Sequence, residues 1–220
     1  IYWRGEAHYR LGEYEEAKAD YVTFLGIPGS MILEENSMIR YNLGYTFFNL
    51  KDYSNTITHL KAFESDASNV KPESMADARN RIGDCYYITT NYPQAIAYYD
   101  KVINYGKSDA DYAMYQKGFS LGLMNNERGK AEALTSLTQK FPSSSFVPNA
   151  IFERGRAYLV LEEYSKSEAD FNTIINSYQS SPFVPRAMVQ MGLLYYNMGQ
   201  NEKAITQYKK VIENFRATPE

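Results

Sequence analysis

Gly118-Phe119-Ser120-Leu121-Gly122 has the form G-x-S-x-G. That spacing serves acyl transfer when a strained strand-to-helix turn lifts the serine out for attack. The serine then needs a base within hydrogen-bond reach. The chain offers two histidines, His8 and His59, both distant in sequence. The residues around Ser120 carry helical rather than strand-to-helix patterning, so the match reads as coincidence. A serine hydrolase centred on Ser120 stays as an alternative. One cysteine, Cys85, and two separated histidines do not make up a zinc set. No metal site is expected. No Walker or dinucleotide glycine loop occurs, and no cofactor is expected. Asp109-x-Asp111 and the pairs Glu15-Glu16, Glu34-Glu35 and Glu162-Glu163 read as solvated faces or helix starts. Cys85 reads as a small hydrophobe.

Bulk properties narrow the function classes. The chain has 220 residues, net charge −3, 44% hydrophobic and 22% charged residues. Both signs are interspersed, so there is no basic stripe for a phosphate backbone, and nucleic acid is not an expected partner. No run approaches the ~18 apolar residues of a membrane span. Tyrosine is overused, with 21 Tyr and 11 Phe against one Trp. A phenol suits half-buried helix faces and binding surfaces. A single cysteine leaves the redox compartment open.

Those residues must be positioned by a repeat. Phe146–Tyr178 and Phe183–Phe215 align without a gap at an offset of 37 residues, each opening Phe-Val-Pro. A glycine tracks the unit along the chain: Gly5, Gly44, Gly83, Gly118, Gly155 and Gly192, spaced 39, 39, 35, 37 and 37. Periods of ~20–50 residues mark repeat architectures. In the second half of each unit apolar residues recur every three to four positions, as in Ala95, Ile96, Tyr99, Val102 and Ile103. That is one face of an amphipathic helix. The first half reads as a second helix ending at a turn such as Leu11-Gly12-Glu13 or Met198-Gly199-Gln200, where glycine can take the left-handed conformation. Small residues at the front (Ala78, Ala113, Ala150, Ala187) and the repeated Gly fit close helix approach. Breakers lie between units, as in Pro142-Ser143-Ser144-Ser145 and Ser180-Ser181-Pro182. No strand pattern occurs. The connection from Gly26 to Ser37 is long enough for extra helix. The reading is twelve helices in six hairpins, near 1–26, 37–66, 74–105, 110–141, 147–178 and 184–215, in one undivided domain.

These residues resemble the tetratricopeptide repeat (TPR) family. Leu43-Gly44, Ile82-Gly83 and Met191-Gly192 carry its apolar-Gly pair; Tyr14…Ala17…Tyr21 and Tyr92…Ala95…Tyr99 carry its second helix. Arg4, Lys117 and Arg154 depart from it, standing where the family has Leu. The fourth unit departs further, with Glu127 and Lys130 at aromatic and Ala sites. The Phe-Val-Pro loop form resembles TPR units of bacterial envelope proteins, of the Tol–Pal coordinator and outer-membrane assembly lipoprotein type. The tyrosine-rich units resemble long multi-repeat proteins of Bacteroidetes-type bacteria.

The resemblance implies an all-α, right-handed superhelical solenoid whose first helices line a concave groove for a peptide or partner helix. It implies no enzyme. It implies a periplasmic or outer-membrane-associated place, with the cytoplasm as alternative. The implied groove positions fall three before, one after and four or five after each glycine. They include Tyr41, Tyr45, Phe48, Asn80, Asp84, Tyr87, Tyr115, Phe119, Arg156 and Tyr196, with Asn49, Ile88, Leu123, Phe152, Leu159, Val189, Leu193 and Asn197 beside them. Such aromatics anchor partners or pack between neighbouring units; both readings stand. The Lys/Asn cluster that grips C-terminal carboxylates is absent, Asn42 and Arg81 being too few. An architectural section without its own ligand is a further alternative. The opening at Ile1 and the loop-like Thr218-Pro219-Glu220 suggest a piece of a longer array.

Overall fold

A computed structural model describes residues 1–29, 35–66 and 70–215, with the side chains of 35–37 and 66 left aside. Glu34, the middle of the connection between Gly26 and Ser37 (30–34) where extra helix was expected, and the Thr218–Glu220 loop therefore lie outside the described residues.

The described residues form twelve helices and no strand: α1 (Tyr2–Leu11), α2 (Tyr14–Leu25), α3 (Glu35–Asn49), α4 (Tyr53–Asp66), α5 (Pro72–Ile88), α6 (Tyr92–Tyr105), α7 (Ala110–Leu123), α8 (Glu127–Lys140), α9 (Val147–Val160), α10 (Tyr164–Ser177), α11 (Phe183–Asn197) and α12 (Asn201–Asn214). This is an all-α helical repeat fold. Two compact units divide the chain, Ile1–Ala113 and Met114–Glu220, with the boundary inside α7.

Each hairpin closes in the same way. The side chain sixteen residues after each repeat glycine lies over that glycine. These side chains are Tyr21, Leu60, Tyr99, Leu134, Phe171 and Tyr208. A Cβ on the glycine would come within 2.4–3.0 Å of them. Real Cβ contacts do not reach most of those distances, so the hairpin can close this tightly only around glycine. The turn is also common to all six. The residue seven after the glycine is left-handed: Gly12 (φ 79°), Lys51 (61°), Thr90 (61°), Asn125 (58°), Glu162 (57°) and Gly199 (74°). Its N–H and the next bond back into the first helix, as in Thr90 N–H to Tyr87 C=O (3.0 Å) and Asn91 N–H to Tyr86 C=O (2.8 Å). This is the Schellman pattern, which satisfies the last carbonyls of a helix. The expectation of left-handed glycine holds at Gly12 and Gly199; the other four turns use residues that pay steric strain there.

In the first unit, α6 buries Ala95, Tyr99 and Val102 of the stripe read from its spacing, with Tyr98 beside them, while Ile96 and Ile103 of that stripe are half-buried. Tyr99, Val102 and Ala95 share a core with Ala76 and Ala113. Leu60, Phe63, Ala78, Ile82 and Tyr98 form the preceding one, and Ala17, Tyr21, Ile39 and Leu43 the first. Each core thus joins one hairpin to the front of the next. In the second unit the Phe-Val-Pro loops form matched joints. Ser144 Oγ accepts from Phe146 N–H and Ser181 Oγ from Phe183 N–H, both at 3.2 Å. Phe146 then stacks on Tyr115 (5.2 Å), and Phe183 meets Phe152 in a tilted contact (5.0 Å).

The family departures have structural partners. Arg4 and Arg154, one before their glycines, pair with Asp20 and Asp170, fifteen after them. In the fourth hairpin Lys130 replaces the usual alanine and is buried, 7% exposed. Its ammonium reaches Glu153 of α9 at 2.8 Å. Gly122 makes room for it, since a Cβ there would meet the lysine stem at 3.0 Å.

Candidate protein-interaction surface

The G-x-S-x-G serine lies inside α7. Ser120 is fully buried and its hydroxyl donates to Gln116 C=O at 2.9 Å. Gly118 is the packing glycine against Leu134, and Gly122 the recess for Lys130. His59 stacks on Phe47 (5.3 Å, 11°), and His8 pairs with Glu13. The serine therefore has a helical carbonyl for a partner, and its motif glycines serve packing. No group of His, Cys, Asp and Glu that could hold a metal occurs among the described residues. Cys85 is buried, and burial pushes its thiol up to about 12, away from reactive thiolate.

The first helices of unit Ile1–Ala113 carry a connected polar-aromatic row. Tyr41 and Tyr45 lie with rings 4.9 Å apart, and both hydroxyls donate to Asp77. The Arg81 guanidinium lies over the rings of Phe48 (4.4 Å) and Tyr45 (5.2 Å), a cation–π arrangement. It pairs with Asp84 at 3.2 Å. Its Nε is buried without a hydrogen-bond partner, as is Asn80 Oδ1. Asp84 also accepts from Tyr99 (2.9 Å) and Tyr112 (2.8 Å). Burial raises its carboxyl above the ordinary value, against the pull of those donors. Phe48 and Tyr87 meet Tyr53 and Tyr92 of their own hairpins edge-on, at 5.7 and 5.8 Å.

The structure brings Tyr41, Tyr45, Phe48 and Asp84 into one row. Asn80 and Asp84, read as groove-exposed, are buried at 5% and 6% exposure. Asn80 donates to Asp109 C=O and Asp84 is covered by Tyr99 and Tyr112. Tyr87 is half-buried.

In unit Met114–Glu220, Tyr115 lies beneath Phe146 and beside Phe119 (4.9 Å). Phe152 and Leu159, also read as exposed, are buried at 5% and 7%. The next hairpin's Phe183 accounts for Phe152. Arg156, Leu193 and Tyr196 are exposed, Tyr196 at 64%.

Sequence reasoning missed the position six before three of the glycines, Gly83, Gly118 and Gly155. Asp77 bonds Tyr41 and Tyr45, Tyr112 bonds Asp84, and Asn149 bonds Tyr115 (3.4 Å). In each case this residue of one first helix ties to the groove position of the helix before it. The signal was available in the third, fourth and fifth units as a polar or phenolic residue (Asp77, Tyr112, Asn149) one turn ahead of the positions considered.

Family comparison decides what this repeat is. Tetratricopeptide repeat models match residues 1–28, 76–105, 112–144 and 186–218. The chain belongs to the tetratricopeptide repeat family. No curated protein matches it in sequence. Among solved structures, it is similar to the C-terminal part of a TPR repeat-containing protein from Cytophaga hutchinsonii, at TM-score 0.78 and 16% identity, over 98% of this chain and 83% of that one. It is also similar to MamA from Desulfovibrio magneticus RS-1 (TM-score 0.68, 17% identity, 84% and 97%). A third is YrrB, described as a TPR protein with an unusual peptide-binding site (TM-score 0.66, 15% identity, 84% and 89%). These likenesses are of fold. TPR helices pair first with second within a hairpin, which is what the glycine contact enforces here. No helix among the described residues is long and apolar enough to cross a membrane.

Proposed function

We propose that this TPR chain is a non-catalytic protein-interaction scaffold, and that the first-helix row Tyr41, Tyr45, Phe48, Arg81 holds an extended peptide or partner helix. The observation that carries the reading is Arg81: a guanidinium over two aromatic rings, with a buried Nε that no group among the described residues satisfies. An unpartnered buried donor is costly, about 1–3 kcal/mol, while the rest of the Arg81 side chain, 28% exposed, still offers guanidinium donors to a ligand acceptor. Aromatic rings and arginine are also the side chains that dominate binding energy at interfaces. YrrB's peptide-binding site supports the class of partner.

Asn80, Tyr87, Tyr115, Phe119 and Tyr196 extend the proposed surface only where they remain accessible. An architectural section with no ligand of its own is the second reading, favoured by the edge-on contacts of Phe48 and Tyr87 inside their own hairpins. A periplasmic or outer-membrane-associated place is proposed from the Phe-Val-Pro loop form, with the cytoplasm as alternative.

The test is quantitative capture from fractionated envelope and cytosol with the wild type and Tyr45→Ala/Arg81→Ala. A captured partner is then titrated by calorimetry. The scaffold reading expects a partner whose affinity falls about tenfold or more in the variant. Equal affinity for both proteins favours the spacer.

A further inference from the structure

Three cations of unit Ile1–Ala113 gather around one carboxylate. Arg79 Nε donates to Glu64 at 2.9 Å, and the Lys101 ammonium meets both oxygens of the same carboxylate at 3.2 Å. Lys61 precedes Glu64 by one turn of α4 and meets no carboxylate among the described residues. Its ammonium donates to the Tyr86 hydroxyl at 2.9 Å. It lies 5.6 Å from the centre of the Tyr98 ring, and the Lys101 ammonium lies 4.1 Å from that same centre. Two ammoniums thus share one ring, and three cations stand against one carboxylate. Donors are also in surplus. An ammonium only donates, and one N–H of Lys61 is spent on Tyr86. The Tyr86 hydroxyl takes that bond on its oxygen and keeps its own proton to give, which no described residue accepts. The place is open to solvent: Lys101 is 44% exposed, and Lys61 and Tyr86 are half-buried. Arg79 and Tyr86, seven residues apart, share one face of α5, and Arg81 lies on the opposite one.

We propose that Lys61, Lys101 and the Tyr86 hydroxyl form a binding site for a phosphate monoester. Lysine serves phosphate as a point charge, without the planar fork that suits arginine to carboxylates. A carboxylate brings one negative charge. A phosphate monoester brings about 1.5–2 at neutral pH and three strong acceptor oxygens, which fits both the surplus charge and the several donors. Glu64 competes for the same cations and sets the affinity low. The site is separate from the Tyr45–Arg81 row and does not depend on it.

The test titrates the whole chain with phenyl phosphate, phenyl sulfate and benzoate at constant ionic strength in phosphate-free buffer, followed by amide NMR. Phenyl phosphate should saturate in the millimolar range and shift amides of α4, α5 and α6. The two singly charged anions should bind about tenfold more weakly. Lys61→Met should weaken phenyl phosphate about tenfold, the order of a lost charge-assisted contact. Glu64→Gln should instead strengthen it, because Arg79 and Lys101 lose their competing carboxylate. A gain of binding cannot come from a damaged fold, and amide dispersion checks that each variant is folded. Phosphatidylcholine vesicles with and without phosphatidic acid then separate the sources. Co-sedimentation that needs phosphatidic acid assigns a lipid headgroup, and its absence assigns a soluble ester. The proposal is overturned if phenyl phosphate does not saturate, or if the three anions bind alike. It is equally overturned if Lys61→Met has no effect, if Glu64→Gln weakens binding, or if vesicles are bound while phenyl phosphate is not. Tyr45→Ala/Arg81→Ala should leave this titration unchanged, so the two sites fail or stand separately.

Discussion

Arg154 grips Asp170 with both ends of its guanidinium, Nε to Oδ2 at 2.8 Å and Nη2 to Oδ1 at 2.6 Å. Both side chains are largely buried, and Nη1 adds bonds to Thr135 and Thr138 of α8. The sixth hairpin carries Met191 and Gln207 at the same two positions. Arg154→Met alone should cost about 3 kcal/mol, because it leaves a buried carboxylate unpaired. Adding Asp170→Gln, to complete the sixth hairpin's combination, should recover most of that loss. Urea titration of the two single variants and the double one gives the coupling energy directly. Additive losses would show that the pair contributes no coupling.

Gly83 lies under the Tyr99 ring, and a Cβ there would stand 2.6 Å from Cε1. Tyr99 is fully buried and bonded to Asp84, so it has little room to retreat. Gly83→Ala should lower stability by about 1–3 kcal/mol through overpacking, although alanine is the better helix former. A rise in Tm would contradict the close-approach account.

Thr90 is a β-branched residue held at φ 61°. The left-handed conformation costs an ordinary L-residue about 1–2 kcal/mol, and glycine escapes most of that. Thr90→Gly should therefore raise Tm by roughly 2 °C after glycine's unfolded-state entropy is set against the relief. Differential scanning calorimetry decides it. Among the described residues the Thr90 hydroxyl makes no hydrogen bond that the substitution would break, unlike Thr89, which donates to Cys85 C=O.

His59 is half-buried, stacked on Phe47, with Nδ1 buried and unpartnered. Burial, with Arg40 nearby, holds its imidazole below the ordinary value of 6.5, and Asp52 opposes this weakly. A depressed histidine stabilises the fold above the unfolded value, and that stability is lost as pH falls through the folded value. The wild type should lose Tm between pH 7.5 and 5 relative to His59→Phe, which keeps the stack without the charge. Parallel pH profiles for the two proteins would remove His59 as the cause.

Much of the fold was legible because a hairpin closes around one glycine, and six glycines at near-equal spacing announce it. The left-handed turns were legible only at Gly12 and Gly199. At Lys51, Thr90, Asn125 and Glu162 the packing of two helices imposes the conformation against residue preference. Counting from the glycine also gave the expected groove positions, but it treats every turn of a helix alike. Whether such a residue faces solvent depends on the next hairpin. Phe183 covers Phe152, and Tyr112 reaches Asp84, through contacts that no single repeat contains. The arginines that departed from the family pattern were the clue most within reach. Each had an aspartate sixteen residues on.

Lys130 gives the fourth hairpin an address. Hairpins built to one plan, adjoining in one chain, risk docking on the wrong neighbour while they fold. At the place of Lys130 the following hairpins carry Ser167 and Ala204, and at the place of Glu153 their neighbours carry Gln116 and Gln190. Only the native order sets the ammonium against the carboxylate. Any other order strands a charge in the core, a penalty of several kcal/mol. What reads in the sequence as decay of a repeat thus acts as a lock against mis-stacking.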